Sequence, residues 1–250
     1  MNESLRYEDT SQYTLYEQVA DLLEERIVTE EYPYGSRLPS EQVLCEISGV
    51  SRSIIREALK LLKERGLIET RIGSGAYVIR PEARNLSDVV ARIIHIDRIQ
   101  YEDLFNVRAI LEIESAGLAA GNATLEVIGA LRNVNQSILA PGLTITEQAR
   151  RDFSFHYLMA KASGNSLLAL LVEAIGGICQ EMIERTSFLS DSASDSFHSH
   201  GRICDALEAR NPEAAREAAK DHLEKSKRRY KAILETWDKP YIDGKKYGSD

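Results

Sequence analysis

The sequence predicts a mainly α-helical protein of two domains, the first of which also carries one short β-hairpin. Three observations support this fold class. Apolar residues recur at intervals of three and four through most of the chain, as on the buried face of an amphipathic helix. A glycine-rich turn between two short apolar runs, within residues 67–79, indicates a hairpin. The length of 250 residues exceeds that of a usual single domain and favours two.

Composition excludes several classes of protein. Apolar residues make up 43% and charged residues 28% of the chain, as in a globular protein and unlike a disordered or collagenous one. The longest apolar run without glycine, residues 167–172, is too short for a membrane span. The polar N-terminus does not resemble a secretory signal and three distant cysteines predict no disulfide framework, so we expect a cytoplasmic protein without a membrane partner. With a net charge of −8, any contact with nucleic acid must come from a local basic cluster.

A change of sequence pattern near Pro81 divides the chain. Short helical patterns and the hairpin precede this proline, whereas helical patterns alone follow it. We therefore predict an N-terminal domain at 12–79, a linker at 80–87, a helical domain at 88–238 and a polar tail at 239–250.

Three helices are predicted before the hairpin. The first opens with a capping box that begins at Thr14. Ser40 caps a short second helix that Gly49 ends, and Ser51 caps a third helix that stops at Gly66. Two helices joined by a tight turn that contains glycine are typical of a helix-turn-helix.

The third predicted helix has a basic face opposite its apolar face. Four cationic side chains project from this side: Arg52, Arg56, Lys60 and Lys63. Arginines in the first turns of such a helix can reach guanine edges in the major groove, and glycines in a hairpin allow close approach to a phosphate. A charged stripe alone is more often a solvated face, but the helix-turn-helix and the hairpin favour DNA binding here.

Three stretches of the N-terminal domain together form a family pattern: GSRLPSE at 35–41, VSRSIIREAL at 50–59 and ERGLI at 64–68. They resemble the winged helix-turn-helix of GntR-superfamily transcription regulators. The resemblance implies contacts with operator DNA from the start of the recognition helix and from the wing: Ser51, Arg52, Ser53, Arg56 and Gly73. Some members carry an arginine directly after the Pro-Ser-Glu element. This chain has Gln42 there, so we consider Arg37 as the substitute.

Apolar stripes predict consecutive helices in the second domain, packed as an all-α antiparallel bundle. Polar residues on such stripes mark candidate sites, because a buried charge needs a partner or a ligand. Four residues share this position: Asp152, His156, His200 and His222. Three inward imidazoles and a carboxylate suit a divalent cation such as zinc, nickel or manganese. A histidine on an apolar face is more often a hydrogen-bonded core residue, so spacing alone leaves both interpretations open.

Four stretches of the second domain form another family pattern: LFNVRAILE at 104–112; Asp152-x-x-Phe155-His156 with GNSLL at 164–168; His200 with ICDAL at 203–207; and DHL at 221–223. They resemble the FadR-type C-terminal ligand-binding domain, abbreviated FCD. The resemblance implies metal ligation, with zinc as the leading candidate, by Asp152, His156, His200 and His222. It also implies that Arg108 meets the carboxylate of a small organic-acid effector. A structural ion pair between Arg108 and a neighbouring acid is the alternative.

We therefore expect a homodimeric transcription repressor, not an enzyme, that binds double-stranded operator DNA and responds to a small carboxylate. Two alternatives stay open. One is a metallohydrolase, although the chain contains no H-E-x-x-H motif. The other is a metal-free regulator that senses an acyl ligand and merely packs its histidines.

Overall fold

The structure is a computed structural model that describes residues 14–80, 83–186 and 192–234. Within these ranges the chain forms ten helices and one two-stranded antiparallel sheet. It divides into two compact units, Met1–Glu82 and Ala83–Asp250. The predicted fold class is confirmed, because the first unit is a winged helix-turn-helix and the described part of the second is helical. The predicted tail at 239–250 lies outside the described residues.

The N-terminal unit contains three helices and the wing: α1 (Leu15–Val28), α2 (Glu41–Ser48), α3 (Arg52–Glu64), β1 (Ile68–Arg71) and β2 (Gly75–Val78). The capping box at Thr14 opens α1, and the Ser40 side chain accepts a hydrogen bond from a backbone N–H in the first turn of α2. Gly49 ends α2 with a φ of 68°, a conformation that glycine adopts without the steric cost of a Cβ.

One apolar core joins the helices of this unit to the sheet. Its fully buried side chains come from all three helices and from β1: Leu23, Leu44, Ile55, Leu62 and Ile68. On the sheet, Ile68 pairs with Val78, and Arg71 pairs with Gly75 at the end next to the turn. Because the apolar face of α3 is buried in this core, its basic face remains on the surface.

The C-terminal unit contains seven described helices: α4 (Ala83–Ile96), α5 (Tyr101–Asn122), α6 (Leu125–Ser137), α7 (Ile145–Ala162), α8 (Ser166–Thr186), α9 (Ser192–Glu208) and α10 (Pro212–Leu234). Helix α5 packs against α7 and α10, and α9 packs against α6 and α10. Alanines such as Ala116, Ala119 and Ala219 are buried in the core between these helices, and their small side chains allow close packing. Asn211 caps α10, as its position before Pro212 predicts.

Two details differ from the sequence-based expectations. Helix α4 was not predicted, and it begins inside the proposed linker, so residues 83–87 are helical. Its Ile94 is buried with residues of α5 and α8, and this packing stabilises a helix whose first turn has the polar composition of a linker. Val107 and Leu171 belong to the predicted apolar stripes but are 47% and 37% exposed. Among the described helices, none has the length and apolar character needed to cross a membrane.

Candidate functional site

The candidate DNA-binding surface of the N-terminal unit begins at the first turn of α3. Ser51 is the N-cap residue of this helix, and its hydroxyl lies 2.9 Å from the hydroxyl of Ser53. The side chains of Arg52 and Arg56 are 63% and 68% exposed. The fold therefore brings the four predicted residues of the recognition helix together at one exposed helix end.

Glu41, the first residue of α2, contacts both arginines. The Nε of Arg56 donates to Oε2 of Glu41 at 3.1 Å, and the Nε of Arg52 lies 3.9 Å from the same oxygen. Exposed ion pairs of this kind contribute up to about 1 kcal/mol, so a phosphate or a base edge can displace them. Glu41 was not selected from the sequence, because the contact joins two helices and helical spacing carries no signal for it.

The wing contains the remaining predicted contacts of this unit. Gly73 is exposed in the turn, with a φ of 70° that glycine adopts without strain. The backbone of Arg37 forms a β-bridge with Tyr77, and an added Cβ on Gly75 would lie 3.0 Å from the Arg37 Nε. Arg37 therefore lies against the wing. Arg71 stacks over the Tyr77 ring at 4.1 Å and adds a second cation to this hairpin.

The second candidate site is a buried cluster in the C-terminal unit. Asp152 and His156 come from α7, His200 from α9 and His222 from α10. One potential ligand atom of each residue lies within 4.8 Å of those of the other three. All four residues are at most 5% exposed, whereas His198 on the same helix as His200 is exposed. The fold thus brings together the four residues selected from the sequence.

The contacts of the rings fit a divalent metal ion. Within the described residues, both ring nitrogens of His200 and of His222 are buried without a hydrogen-bond partner. An unsatisfied buried polar atom costs about 1–3 kcal/mol, which coordination to a metal would offset. The His200 ring stacks on Phe155 with 3.9 Å between centroids, so an apolar contact and not a hydrogen bond orients it. These two rings are therefore not hydrogen-bonded core histidines, which was the alternative considered above.

The electrostatics of the cluster separate His156 from the other two histidines. Burial lowers the pKa of His200 to about 3 and that of His222 well below its usual value, so both are neutral at pH 7. Burial also acts to lower the pKa of His156, but the carboxylates of Glu112 and Asp152 outweigh it and raise this pKa to about 8. Burial acts to raise the pKa of Asp152, whereas His156 and the neighbouring imidazoles hold it well below its ordinary value.

Glu112 on α5 is a buried residue next to the cluster that was not selected as a site residue from the sequence. Its Oε1 accepts a hydrogen bond from the Arg108 Nε at 2.6 Å, and its Oε2 lies 2.7 Å from the Nδ1 of His156. Arg108 is 1% and Glu112 3% exposed. The ion pair considered as the alternative for Arg108 is therefore present, and it adjoins the cluster. The i, i+4 spacing of this pair was a signal that could have identified it.

Two family models match the chain. The model described as "Bacterial regulatory proteins, gntR family" matches residues 15–78, and the model described as "FCD domain" matches residues 103–225. The first range contains α3 and the wing, and the second contains Arg108, Glu112 and the four clustered residues.

Curated proteins and a solved structure are similar over most of the chain. The Glc operon transcriptional activator of Escherichia coli is 32% identical over 225 residues, which cover 83% of this chain and 85% of that protein. The HTH-type transcriptional regulator LutR of Bacillus subtilis is 34% identical over 197 residues, 76% of this chain and 89% of LutR. The structure of Streptococcus agalactiae GntR superposes with a TM-score of 0.63 at 30% identity, over 85% of this chain and 99% of that one.

Proposed function

The chain belongs to the gntR family of bacterial transcription regulators with an FCD domain, and we propose on this basis that a small carboxylate bound at the buried cluster changes its affinity for operator DNA. One observation carries this proposal. Three histidines and an aspartate have ligand atoms within 4.8 Å of one another, beside the buried pair of Arg108 and Glu112. Since the relatives are transcription regulators and not enzymes, a metallohydrolase is not retained.

We propose that α3 and the wing bind DNA. Arg52 and Arg56 are exposed at the start of the helix, where a side chain can form paired hydrogen bonds to guanine in the major groove. The hydroxyls of Ser51 and Ser53 suit the phosphate backbone, while Gly73 allows the wing to approach it closely. Arg37, beside the wing, adds a cation for the same backbone. In a homodimer, two such surfaces would read the half-sites of a pseudo-palindromic operator.

Formal charge supports an anionic effector at the buried cluster. A bound divalent ion would place two positive charges near the guanidinium of Arg108 and the carboxylates of Asp152 and Glu112. The carboxylate of a small organic acid can pair with these cations, and a buried charge is favourable only when it is paired. The metal, when bound, supplies a Lewis-acidic position for a carboxylate oxygen. Arg108 offers a planar guanidinium that matches a carboxylate.

The ring nitrogens of His200 and His222 favour the metal over a metal-free site for an acyl ligand. Buried in the described structure without hydrogen-bond partners, they are poorly suited to an apolar chain and well suited to coordination. Zinc is the leading candidate among zinc, nickel and manganese, because it commonly binds imidazole and carboxylate together.

Similar proteins support either repression or activation of transcription. The family resemblance favours repression that the effector relieves, whereas the similar Escherichia coli protein is named an activator. We therefore propose a change in operator affinity and leave its sign to measurement. A ligand produces such a change only when it binds the DNA-competent and DNA-incompetent arrangements unequally.

A DNA-binding titration tests the proposal. An operator duplex is first selected from a random pool with the zinc-loaded full-length protein, and its Kd is then measured with a panel of small hydroxy acids and sugar acids. We expect one acid to change the Kd by about 5- to 150-fold. Its uncharged amide and the variant Arg108→Gln serve as controls and should show no change. Saturable binding of an acid without any change in operator affinity would overturn the proposed regulation.

A further inference from the structure

Glu112 joins the candidate effector residue to one candidate metal ligand. Its two carboxylate oxygens have different partners: Oε1 accepts from the Nε of Arg108 at 2.6 Å, and Oε2 lies 2.7 Å from the Nδ1 of His156. The other ring nitrogen of His156, Nε2, lies 3.4 Å from the Oδ2 of Asp152. One side of the imidazole therefore faces Glu112 and the other faces the cluster.

We propose that Glu112 is a positioning residue that orients His156 for metal binding and couples this histidine to Arg108, an inference that rests on the function proposed above. The Nδ1 of His156 lies next to the carboxylate of Glu112, so Nε2, which faces Asp152, is the nitrogen that would bind the metal. A carboxylate at the far nitrogen fixes the tautomer of a ligand histidine and makes the ligand atom more basic. Because Arg108 contacts the other oxygen, Oε1, a carboxylate effector that draws Arg108 away changes the charge next to the carboxylate that faces His156.

The other two histidines show why this contact concerns His156 in particular. The Nδ1 of His156 lies 2.7 Å from Glu112, whereas the Nε2 of His200 lies 3.8 Å from Asp152 of the cluster and its ring stacks on Phe155. Glu112 is 3% exposed, so water does little to screen its charge from His156 and Arg108. Among these three rings, His156 is thus the one whose orientation depends on a carboxylate outside the cluster.

Zinc affinity of the full-length protein tests the proposal, measured by competition with a fluorescent chelator. Glu112→Gln preserves the side-chain size and removes the charge, and we expect it to weaken zinc binding by about 10- to 100-fold. Glu114→Gln is the matched control on the same helix. Glu114 is 51% exposed and pairs with Arg216 at 3.0 Å, outside the cluster, so this variant should bind zinc as the wild type does.

A spectroscopic readout separates positioning from general support of the fold. In the zinc-loaded protein, a hydrogen bond to a carboxylate moves the Nδ1–H proton resonance of His156 downfield. We expect this resonance to move upfield in Glu112→Gln and to stay in place in Glu114→Gln. An unchanged resonance in Glu112→Gln would overturn the assigned contact.

The coupling to Arg108 is tested with zinc alone. Arg108→Gln, Glu112→Gln and the double variant form a cycle, and residues in contact give non-additive effects. We expect the zinc Kd of the double variant to differ by at least about threefold from the value that the single variants predict. Additive effects would overturn the coupling. If Glu112→Gln does not fold because it removes the Glu112 carboxylate from a buried guanidinium, the double variant removes both charges and is compared with Arg108→Gln.

The outcomes distinguish this inference from the function on which it rests. A wild-type protein that takes up no zinc, nickel or manganese overturns both. If the wild type binds zinc and Glu112→Gln binds it with equal affinity, the role of Glu112 is overturned. The proposed metal site is then retained.

Discussion

At the scale of single residues, both candidate sites depend on acidic partners that neutralise basic groups. Glu41 contacts the arginines of α3 on the surface, whereas Glu112 contacts Arg108 and His156 in the interior. The surface contact is weak because water screens it, so DNA can replace it at low cost. The buried contact is shielded from water, because Arg108 and Glu112 are at most 3% exposed. The surface contact can therefore exchange with solvent or a ligand more readily than the buried one.

The first prediction concerns Arg56. Arg56→Ala removes an exposed side chain at the start of α3, so we expect the fold to remain intact and operator binding to weaken by about 1–3 kcal/mol. Fluorescence anisotropy with the selected operator measures this loss. A duplex with altered half-sites is the control, since it should lose much less affinity. An unchanged operator Kd would contradict the assignment of α3 as the recognition helix.

The second prediction concerns protons released on metal binding. His156 has a pKa raised to about 8, so at pH 7 it carries a proton that a metal must displace, whereas His200 is already neutral. We expect zinc binding at pH 7 to release about one proton per ion, and zinc affinity to rise with pH up to about 8. Titration calorimetry in two buffers of different ionisation enthalpy measures the release. Equal zinc affinity at pH 6 and pH 8 would contradict it.

At the scale of elements, small residues determine how closely helices approach. A Cβ added to Gly176 on α8 would overlap the ring of Phe153 on α7, whereas a Cβ added to Gly129 on α6 would meet no atom within 4 Å. Both glycines lie inside helices, where alanine is intrinsically favoured. Packing between α7 and α8 therefore accounts for the glycine at position 176. It does not account for the glycine at position 129.

The third prediction compares these two glycines. Gly176→Ala forces Phe153 to move, and we expect a loss of about 1–2 kcal/mol in stability, because overpacking outweighs the gain in helix propensity. Gly129→Ala should instead stabilise the protein by up to about 1 kcal/mol. Urea unfolding followed by circular dichroism measures both. A stabilising effect of Gly176→Ala would mean that the ring relocates without cost.

At the scale of the whole molecule, the candidate metal site joins helices that are distant in sequence. Its ligands come from α7, α9 and α10, so a bound ion would connect three elements of the C-terminal unit. An ion that binds only the folded state stabilises it by mass action, by about 2.7 kcal/mol at a concentration 100 times the Kd. The metal should therefore affect folding of this unit as well as effector binding.

The fourth prediction follows from this linkage. Zinc should raise the Tm of the wild-type protein, and chelation should lower it again. His200→Ala removes a buried ligand candidate and should abolish the rise. His198→Ala, an exposed histidine on the same helix, should preserve it. Differential scanning calorimetry measures the shift, and a rise of equal size in His200→Ala would contradict the assigned ligand set.

The sequence by itself predicted the helical fold with its wing, and it selected candidate residues for both sites. Caps such as Ser40 and Gly49, and the i, i+4 spacing of Asp152 and His156, are local features that depend on the backbone of one segment. The two resemblances supplied the long-range part, because spacing alone left the histidines as either core residues or ligands.

Only the tertiary structure decided which partners these residues have. The contacts of Glu41 with Arg56 and of Glu112 with His156 join different helices, and no periodicity within one helix contains them. Helix α4 likewise forms where the composition resembles a linker, because α8 covers its apolar side. The physical reason is common to these cases: burial and charge pairing depend on which faces meet in the fold, whereas the sequence pattern specifies each face alone.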